Sequence, residues 1–381
     1  MIARRLRPFG TTIFTEMSAL AARTGALSLG QGSPDTDGPD EIVEAVTTAM
    51  RSGFNQYAPL AGRPELCAAI AGHQRRLYGL DVDPVDGVQV TFGATEAIAA
   101  AMLGLLEPGD EVVVIEPFYD CYAASIALAG GTRRLVALRP PDFALDLDAL
   151  GAAAPGARML LLNSPHNPTG RVLTRAELEA IARVCVEHDL IAVTDEVYEH
   201  LVFDGEHIPL ATLPGMAERT LTISSAGKSF SFTGWKTGWC SGPPRLVGGV
   251  RAAKQFLSFS GGTPFQHAIA AALTDAERHT APLRASLRAG RDALCAGLRE
   301  AGFGVTVPQG GYFVQADVAP LGLADAAAWC RELPARAGVV AIPTSAFYDD
   351  AEAGRTLVRF AFCKRMAIIE EAVARLSEPV A

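Results

Sequence analysis

Short, largely apolar segments alternate with helical segments along the chain, and this alternation restricts the possible folds more than any other feature. Strands are predicted at 88–92, 111–115, 159–163, 190–193 and 221–225, each followed by a turn or the start of a helix. Strands that are apolar on both faces need cover on both sides, which is typical of parallel sheets between two layers of helices. The sequence therefore predicts an α/β protein with a mostly parallel sheet.

The pattern changes near residue 280. A helical stretch at 281–302 is followed by shorter strands and helices, which predicts a smaller α+β domain over 281–381. Residues 46–280 form the predicted large domain, and residues 1–45 a segment that packs on the small domain or on a partner subunit. A length of 381 residues fits two domains.

Charge and composition exclude several classes of function. The net charge of −9 argues against binding to nucleic acid or to an anionic membrane surface. The chain shows neither a stretch of about 18 apolar residues nor a signal peptide, so we expect a soluble, cytoplasmic protein. The cysteines and histidines are scattered without the spacing of metal ligands, and no metal site is expected.

Polar and aromatic residues collect where the predicted strands end. In a parallel sheet these ends meet at one edge, where ligands bind. The residues concerned are, in chain order, Ala94, Thr95, Tyr119, Asn167, Asp195, Tyr198, Ser225, Lys228 and Lys236. They offer helix N-terminal amides, hydroxyls, an aromatic face, a carboxylate and two amines. Pyridoxal phosphate, a planar ring that carries a phosphate and an aldehyde, needs all of these groups.

Three motifs carry a resemblance to a known family: NSPHNPTG at 163–170, TDEVYEHLVFD at 194–204 and SSAGKSFSFTGWKTGW at 224–239. With them the chain resembles, over nearly its whole length, the class I and II aminotransferases, which are pyridoxal-phosphate enzymes of fold type I. It is most similar to the branch of kynurenine and methionine aminotransferases and to actinobacterial N-succinyldiaminopimelate aminotransferases. The resemblance implies a homodimer.

The resemblance also implies the roles of the residues around the cofactor ring. Lys228 would form a Schiff base with the cofactor and shuttle protons, and Asp195 would pair with the ring nitrogen. Asn167 and Tyr198 would bind the phenolic oxygen, and Tyr119 would stack on the ring. Lys228, Asp195 and Tyr198 are thus the expected catalytic residues.

Further roles concern the phosphate and the substrate. The expected phosphate ligands are Ala94, Thr95, Ser225 and Lys236, joined by Tyr57 of the neighbouring subunit. Arg359 would bind the substrate α-carboxylate as a bidentate hydrogen-bond donor, while Gly32 and Asn167 would border the substrate. Thr95 stands where aspartate-type enzymes tend to carry a lysine, which disfavours a dedicated aspartate aminotransferase.

The implied activity is ping-pong transfer of an amino group between an L-amino acid and a 2-oxo acid. The substrate pair stays open between N-succinyl-diaminopimelate with 2-oxoglutarate and donors of the methionine, aromatic or kynurenine type. A carbon–sulfur β-lyase on the same fold is an alternative, because one fold supports several chemistries. A tailoring aminotransferase of secondary metabolism is another.

Overall fold

The computed structural model describes residues 2–378, which contain thirteen α-helices and thirteen β-strands. The helices are α1 (Ile13–Thr24), α2 (Asp40–Arg51), α3 (Pro64–Tyr78), α4 (Gly93–Leu105), α5 (Cys121–Leu128), α6 (Leu147–Ala153), α7 (Arg175–Glu187), α8 (Ala226–Ser229), α9 (Pro244–Leu257), α10 (Thr263–Thr274), α11 (Ala276–Glu300), α12 (Ala326–Arg336) and α13 (Met366–Ser377). The strands are β1 (Leu27–Ser28), β2 (Val88–Phe92), β3 (Glu111–Glu116), β4 (Thr132–Ala137), β5 (Met159–Asn163), β6 (Ile191–Asp195), β7 (Thr220–Ser225), β8 (Thr237–Ser241), β9 (Gly304–Thr306), β10 (Phe313–Asp317), β11 (Val339–Val340), β12 (Ile342–Pro343) and β13 (Leu357–Ala361). Across residues 2–378, no helix combines the length and the apolar character that crossing a bilayer requires.

Seven strands form the central sheet in the order β2-β8-β7-β6-β5-β3-β4. The strands from β7 to β4 in this order are parallel, and β8 runs antiparallel to both of its neighbours. The predicted, mostly parallel sheet is confirmed. The sequence analysis missed β4, where Arg133 and Arg134 interrupt the apolar pattern, and β8, which has no long apolar run.

Both faces of this sheet are covered, as predicted. Along β3, Val112 and Val114 belong to a core with residues of α4 and α9, whereas Val113 and Ile115 belong to a second core with residues of α6 and α7. All four side chains are at most 4% exposed. Alternate residues of one strand thus serve two cores, which explains why the strand is apolar throughout.

A second, antiparallel sheet has the order β12-β13-β10-β9 and shares a core with residues of α11, α12 and α13. From the N-terminal segment, β1 pairs in parallel with β11. The predicted helix start at 281 was wrong, because α11 begins at Ala276 and continues through Pro282. Residue 280 therefore lies inside a continuous helix, and the division into domains stays a prediction.

The helix that follows β5 begins after Thr174-Arg-Ala-Glu177, a sequence pattern that is typical of a capping box at a helix start. Thr174 and Glu177 form a capping box, in which Glu177 N donates to Thr174 Oγ1 over 3.3 Å and Thr174 N donates to Glu177 Oε2 over 2.9 Å. These two bonds satisfy backbone donors that the first turn of a helix leaves free. The start of α7 is thereby fixed, and with it the length of the loop that carries the NSPHNPTG motif.

The first turn of α4 lies directly against β8. A Cβ atom added at Gly238 would lie 2.5 Å from the carbonyl carbon of Gly93 and 2.8 Å from the nitrogen of Ala94. Both neighbours are backbone atoms, which cannot rotate away as a side chain can. Gly238 therefore permits the approach of the two elements that border the candidate site.

We predict that Gly238→Ala lowers the free energy of unfolding by about 2 kcal/mol, because overpacking a filled contact typically costs ~1–3 kcal/mol. Gly234→Ala is the matched control, since a Cβ there meets no atom within 4 Å. We expect the control to change stability by less than about 0.5 kcal/mol. Urea unfolding of the three proteins measures both values. Equal stability of the two variants would show that the contact does not constrain the fold.

Candidate active site

A cavity of about 430 Å³ opens at the edge of the central sheet where the parallel strands end. The predicted site residues that line it are Gly32, Ala94, Thr95, Tyr119, Asn167, Asp195, Tyr198, Ser225, Lys228, Lys236 and Arg359. Tyr57 does not line the cavity, and its side chain is 78% exposed. The fold thus brings together every residue of the predicted site except the one assigned to the neighbouring subunit.

Lys228 lies on α8, directly after β7, and its ammonium group is poorly solvated. Its Nζ donates to the carbonyl oxygen of Gly32 over 3.2 Å and lies 5.2 Å from the ring centre of Tyr312 and 5.7 Å from that of Tyr198. Burial is the largest cause that lowers the pKa of Lys228, to about 8, and the nearby charge of Arg359 acts in the same direction. Near pH 8 a large fraction of this amine is therefore neutral. A neutral amine can act as a nucleophile and as a base.

Asp195 ends β6 and is held by two donors. The Tyr122 hydroxyl donates to its Oδ2 over 2.6 Å, and Val197 N donates to its Oδ1 over 3.3 Å. Burial raises the pKa of Asp195 to about 6, and the two hydrogen bonds limit the rise. The carboxylate is therefore ionised at neutral pH and can pair with a cationic ring nitrogen in the cavity.

Arg359 lies in β13 and is 1% exposed. Its guanidinium carbon lies 3.9 Å from the ring centre of Phe313, 4.7 Å from that of Phe347 and 5.1 Å from that of Phe14. Burial lowers its pKa to about 10, so the group remains charged at neutral pH. Within residues 2–378 no carboxylate lies within 4.0 Å of it, and a buried arginine without such a partner is rare.

The hydrogen bonds of Arg359 leave part of its donor set free. Its Nη2 donates to the Gly30 carbonyl over 2.7 Å and its Nη1 to Asn167 Oδ1 over 3.1 Å, while its buried Nε has no hydrogen-bond partner among the described residues. Guanidinium groups bind carboxylates through two parallel N–H bonds. The missing counter-charge and the free donors both fit a carboxylate that arrives with a ligand.

Asn167 connects this guanidinium to the end of β5. Its backbone nitrogen donates to Asn163 Oδ1 over 2.7 Å, which fixes the loop, and its side-chain oxygen accepts from Arg359. The two hydrogens on Nδ2 are therefore free to donate to an oxygen in the cavity. This is the donor that a phenolic oxygen of a bound ring requires.

A second part of the cavity is suited to an anion. There the N-terminus of α4 presents its first backbone amides at Ala94 and Thr95, and helix N-termini attract phosphate groups. Ser225 precedes α8, and Lys236 precedes β8; both line the same cavity. Hydroxyl, amide and ammonium donors therefore converge in this part of the cavity.

Several residues that line the cavity were given no role in the sequence analysis, and three of them are Tyr122, Phe14 and Asp120. Tyr122 follows Tyr119 by three residues, so a helical interpretation of that segment would have placed both on one face. Their rings are in edge contact at 6.0 Å between centres. Phe14 of α1 and Asp120 also line the cavity, and no local pattern in the sequence indicates their position.

A buried polar network lies beside the cavity, centred on Glu199. Its Oε2 accepts from Tyr78 over 2.7 Å and lies 3.3 Å from His73 Nε2, and its Oε1 accepts from Ser224 over 2.5 Å. Burial acts to raise the pKa of Glu199, but the nearby His200, His73 and His207 lower it overall. Glu199 is thus a bonded structural carboxylate adjacent in sequence to Tyr198.

The donor set of the cavity fits pyridoxal phosphate. A neutral amine is available for the aldehyde, a carboxylate for the ring nitrogen, an amide and a phenol for the phenolic oxygen, and a helix N-terminus with a lysine for the phosphate. The guanidinium of Arg359, which has no carboxylate partner among residues 2–378, is available for the carboxylate of an amino acid. Each group in this set has a counterpart on the cofactor or on the amino acid.

Comparisons with known proteins agree with this chemistry. The family model "Aminotransferase class I and II" matches residues 24–376. A probable N-succinyldiaminopimelate aminotransferase of Mycobacterium tuberculosis is 55% identical over 99% of this chain and 98% of its own length. The methionine aminotransferase of Escherichia coli is 38% identical over 98% of this chain and 97% of its own length.

The solved structures lead to the same family. The structure of the N-succinyldiaminopimelate aminotransferase from Mycobacterium tuberculosis matches with a TM-score of 0.97 and 56% identity, over 99% of each chain. This match confirms the predicted fold of the pyridoxal-phosphate aminotransferases. The chain therefore belongs to the class I and II aminotransferases, enzymes that depend on pyridoxal phosphate and move amino groups between amino acids and 2-oxo acids.

Proposed function

We propose that this aminotransferase acts on an N-succinyldiaminopimelate-type donor, with 2-oxoglutarate or pyruvate as the acceptor. The observation that carries the proposal is the similarity to the Mycobacterium tuberculosis protein of that name, which extends over 99% of this chain at 55% identity. The long reach of such a donor needs room beyond the α-carboxylate site. The cavity that must hold both the cofactor and this donor has a volume of about 430 Å³.

The proposed roles of the ring-binding residues follow from their surroundings. When bound, pyridoxal phosphate supplies an aldehyde that joins amines and a ring that withdraws electrons from the substrate α-carbon. Lys228 Nζ would hold the cofactor through its aldehyde, and the same amine would move a proton from the substrate α-carbon. Asp195 keeps a proton on the ring nitrogen, since its carboxylate is buried, ionised and oriented by Tyr122. Tyr119 stacks on the ring, and Asn167 Nδ2 and the Tyr198 hydroxyl donate to the phenolic oxygen.

The remaining roles concern the two anions that enter the site. Arg359 binds the substrate α-carboxylate next to Gly32 and Asn167. The aromatic rings around the guanidinium exclude water, which strengthens this charge pair. The proposed phosphate ligands are Ala94, Thr95, Ser225 and Lys236.

The proposed assembly is a homodimer in which Tyr57 reaches the phosphate of the neighbouring subunit. Tyr57 is exposed and contacts Phe259 edge-on, at 5.5 Å between ring centres. Phe256 is 85% exposed and Leu257 is 50% exposed on the same stretch of chain. A run of exposed apolar side chains supports an interface with a second copy. The cytoplasmic location stays a prediction.

A second candidate is a donor of the methionine, aromatic or kynurenine type. The rings of Phe14, Tyr119 and Phe313 line the cavity and would favour an apolar side chain. The Escherichia coli relative at 38% identity is a methionine aminotransferase. The same cavity could therefore accept a donor without a polar tail.

The low pKa of Lys228 predicts a reactivity that can be measured in the cofactor-free protein. The chain has four lysines, so each can be followed by peptide mapping. At pH 8 about half of the Lys228 amine is neutral, whereas an ordinary lysine with a pKa of about 10.4 is less than about 1% neutral. We expect acetic anhydride to modify Lys228 with an apparent pKa of about 8, the rate rising with pH as the proton leaves. Lys364 in the same sample is the internal comparison. A titration of Lys228 above pH 10 would contradict the assigned environment.

A donor screen tests the proposed function. We expect kcat/KM with N-succinyl-diaminopimelate to exceed that with methionine, phenylalanine and kynurenine by at least about tenfold, a preference of ~1.4 kcal/mol. Each donor is paired with 2-oxoglutarate and with pyruvate. Lys228→Ala should abolish turnover and Lys364→Ala should retain it.

Two outcomes would redirect the proposal. A preference for methionine or aromatic donors would establish the second candidate. Release of pyruvate from cystathionine without an acceptor would indicate a β-lyase.

A further inference from the structure

Lys254 lies near the end of α9 and is 2% exposed, which makes it the most buried of the four lysines of the chain. The proposed function gives it no role, since Lys228 and Lys236 serve the cofactor. A buried ammonium group is stable only where protein acceptors replace the water that it loses. The groups around Lys254 therefore indicate which parts of the structure it connects.

The first of these parts is the loop of residues 258–262, which joins α9 to α10. Lys254 Nζ donates to the Phe259 carbonyl over 2.6 Å and to Ser258 Oγ over 3.2 Å. The carbonyl of Lys254 accepts from the backbone nitrogens of Ser258 and Phe259, each over 3.2 Å. Phe259 has a φ of 57°, and a bulky residue stays in this region only where contacts hold it. Lys254 thus holds Phe259 at both its N–H and its carbonyl group.

This loop and the first residue of α10 hold the segment that carries Tyr57. The hydroxyl groups of Ser260 and Thr263 donate, each over 2.6 Å, to the carbonyls of the residues on either side of Tyr57. The Tyr57 ring contacts Phe259 edge-on. The position of Tyr57 therefore depends on the loop that Lys254 holds.

The second part is the start of α4. Lys254 Nζ lies 3.8 Å from Glu96 Oε2, and the same oxygen accepts from Phe92 N over 2.6 Å. The Phe92 ring centre lies 5.6 Å from Lys254 Nζ, and a Cβ added at Gly261 of the loop would lie 2.5 Å from that ring. Phe92 directly precedes α4, whose first amides are proposed phosphate ligands. Lys254 is thus anchored next to the proposed phosphate site of its own subunit.

We propose that Lys254 is a positioning residue for Tyr57: it fixes the loop of residues 258–262 so that the phenol reaches the phosphate of the neighbouring subunit. The inference rests on the proposed assembly, in which Tyr57 binds that phosphate. The Tyr57 side chain is 78% exposed within one chain, and ordering a free side chain on binding costs entropy. A loop that orders Tyr57 before the cofactor binds lowers this cost and tightens cofactor binding.

A double-mutant cycle on cofactor affinity tests the inference, because two residues that act through one contact have non-additive effects. The probe is pyridoxamine phosphate, the amine form of the cofactor, which binds without a covalent bond to Lys228. Equilibrium dialysis of the loaded enzyme measures its dissociation constant in the wild type, Lys254→Met, Tyr57→Phe and the double variant. We expect each single variant to raise this constant at least about tenfold. In the Tyr57→Phe background, Lys254→Met should raise it less than about threefold.

Lys364→Met is the matched control, because it removes the same charge from the chain. The Lys364 ammonium group donates to the Ser33 carbonyl in the N-terminal segment, and not to the loop of residues 258–262. We expect this variant to change the dissociation constant less than about twofold. An effect as large as that of Lys254→Met would show that the lost charge alone weakens binding, and it would overturn the inference.

Ser258→Ala is the second variant, since it removes one acceptor of Lys254 and keeps the buried charge. It should raise the dissociation constant about threefold and have no further effect in the Tyr57→Phe background. The same cycle is measured with this variant if Lys254→Met does not fold.

Three outcomes would contradict the inference. Additive effects of Lys254→Met and Tyr57→Phe would show that Lys254 acts elsewhere, for example through Glu96. Sedimentation velocity gives a second readout, since every variant should remain a dimer; a monomeric Lys254→Met variant would show that Lys254 maintains the interface rather than the position of Tyr57. A Tyr57→Phe variant that binds the probe as tightly as the wild type would instead refute the proposed assembly, and the inference with it.

Discussion

The carboxyl ends of parallel strands meet at one edge of the central sheet, and the whole site depends on this convergence. β5, β6 and β7 end side by side, and they bring Asn163, Asp195 and Ser225 to the cavity. The groups are distant in sequence but adjacent in space because strand pairing fixes their order. Strand pairing therefore sets the positions of the reactive groups, and each loop adds a side chain at one of these positions.

Burial of charge is what makes this edge reactive. The sheet, the aromatic rings and the antiparallel sheet around Arg359 remove water from an amine, a guanidinium and a carboxylate at once. Burial lowers the pKa of Lys228 to about 8 and raises that of Asp195 to about 6. Between these values the carboxylate is ionised while the neutral fraction of the amine rises with pH. A base and a counter-ion are thus available in the same pH range.

The same environment explains how the guanidinium of Arg359 is accommodated without a carboxylate partner in the described part of the chain. A built-in partner would satisfy the charge and compete with the substrate. Aromatic faces stabilise the cation instead, without blocking its outward N–H groups. Gln315 on the neighbouring strand β10 donates to the Pro168 carbonyl over 2.8 Å, so the strands that carry the arginine are tied to the loop after β5. This contact holds the antiparallel sheet that carries Arg359 in a fixed position relative to the loop that carries Asn167.

Much of this could be predicted from the sequence, and the parts that could not share a physical reason. The apolar strands, the capping box at Thr174 and the fold class follow from local patterns, and the motif around Lys228 led to the family. β8 was not predicted, because it is a strand through its pairing with β2 and β7 and not through an apolar composition. Phe14 and Asp120 escaped because only the tertiary fold brings α1 and the start of α5 to the cavity. The packing of Gly238 against α4 likewise depends on two distant segments.

The most direct measurement of the central claim is the location of the covalent bond to the cofactor. The enzyme loaded with pyridoxal phosphate is reduced with borohydride, digested and mapped by mass spectrometry. The account predicts one phosphopyridoxyl group per chain, on Lys228. A label on Lys236, Lys254 or Lys364, or a protein that takes up no cofactor, would contradict it.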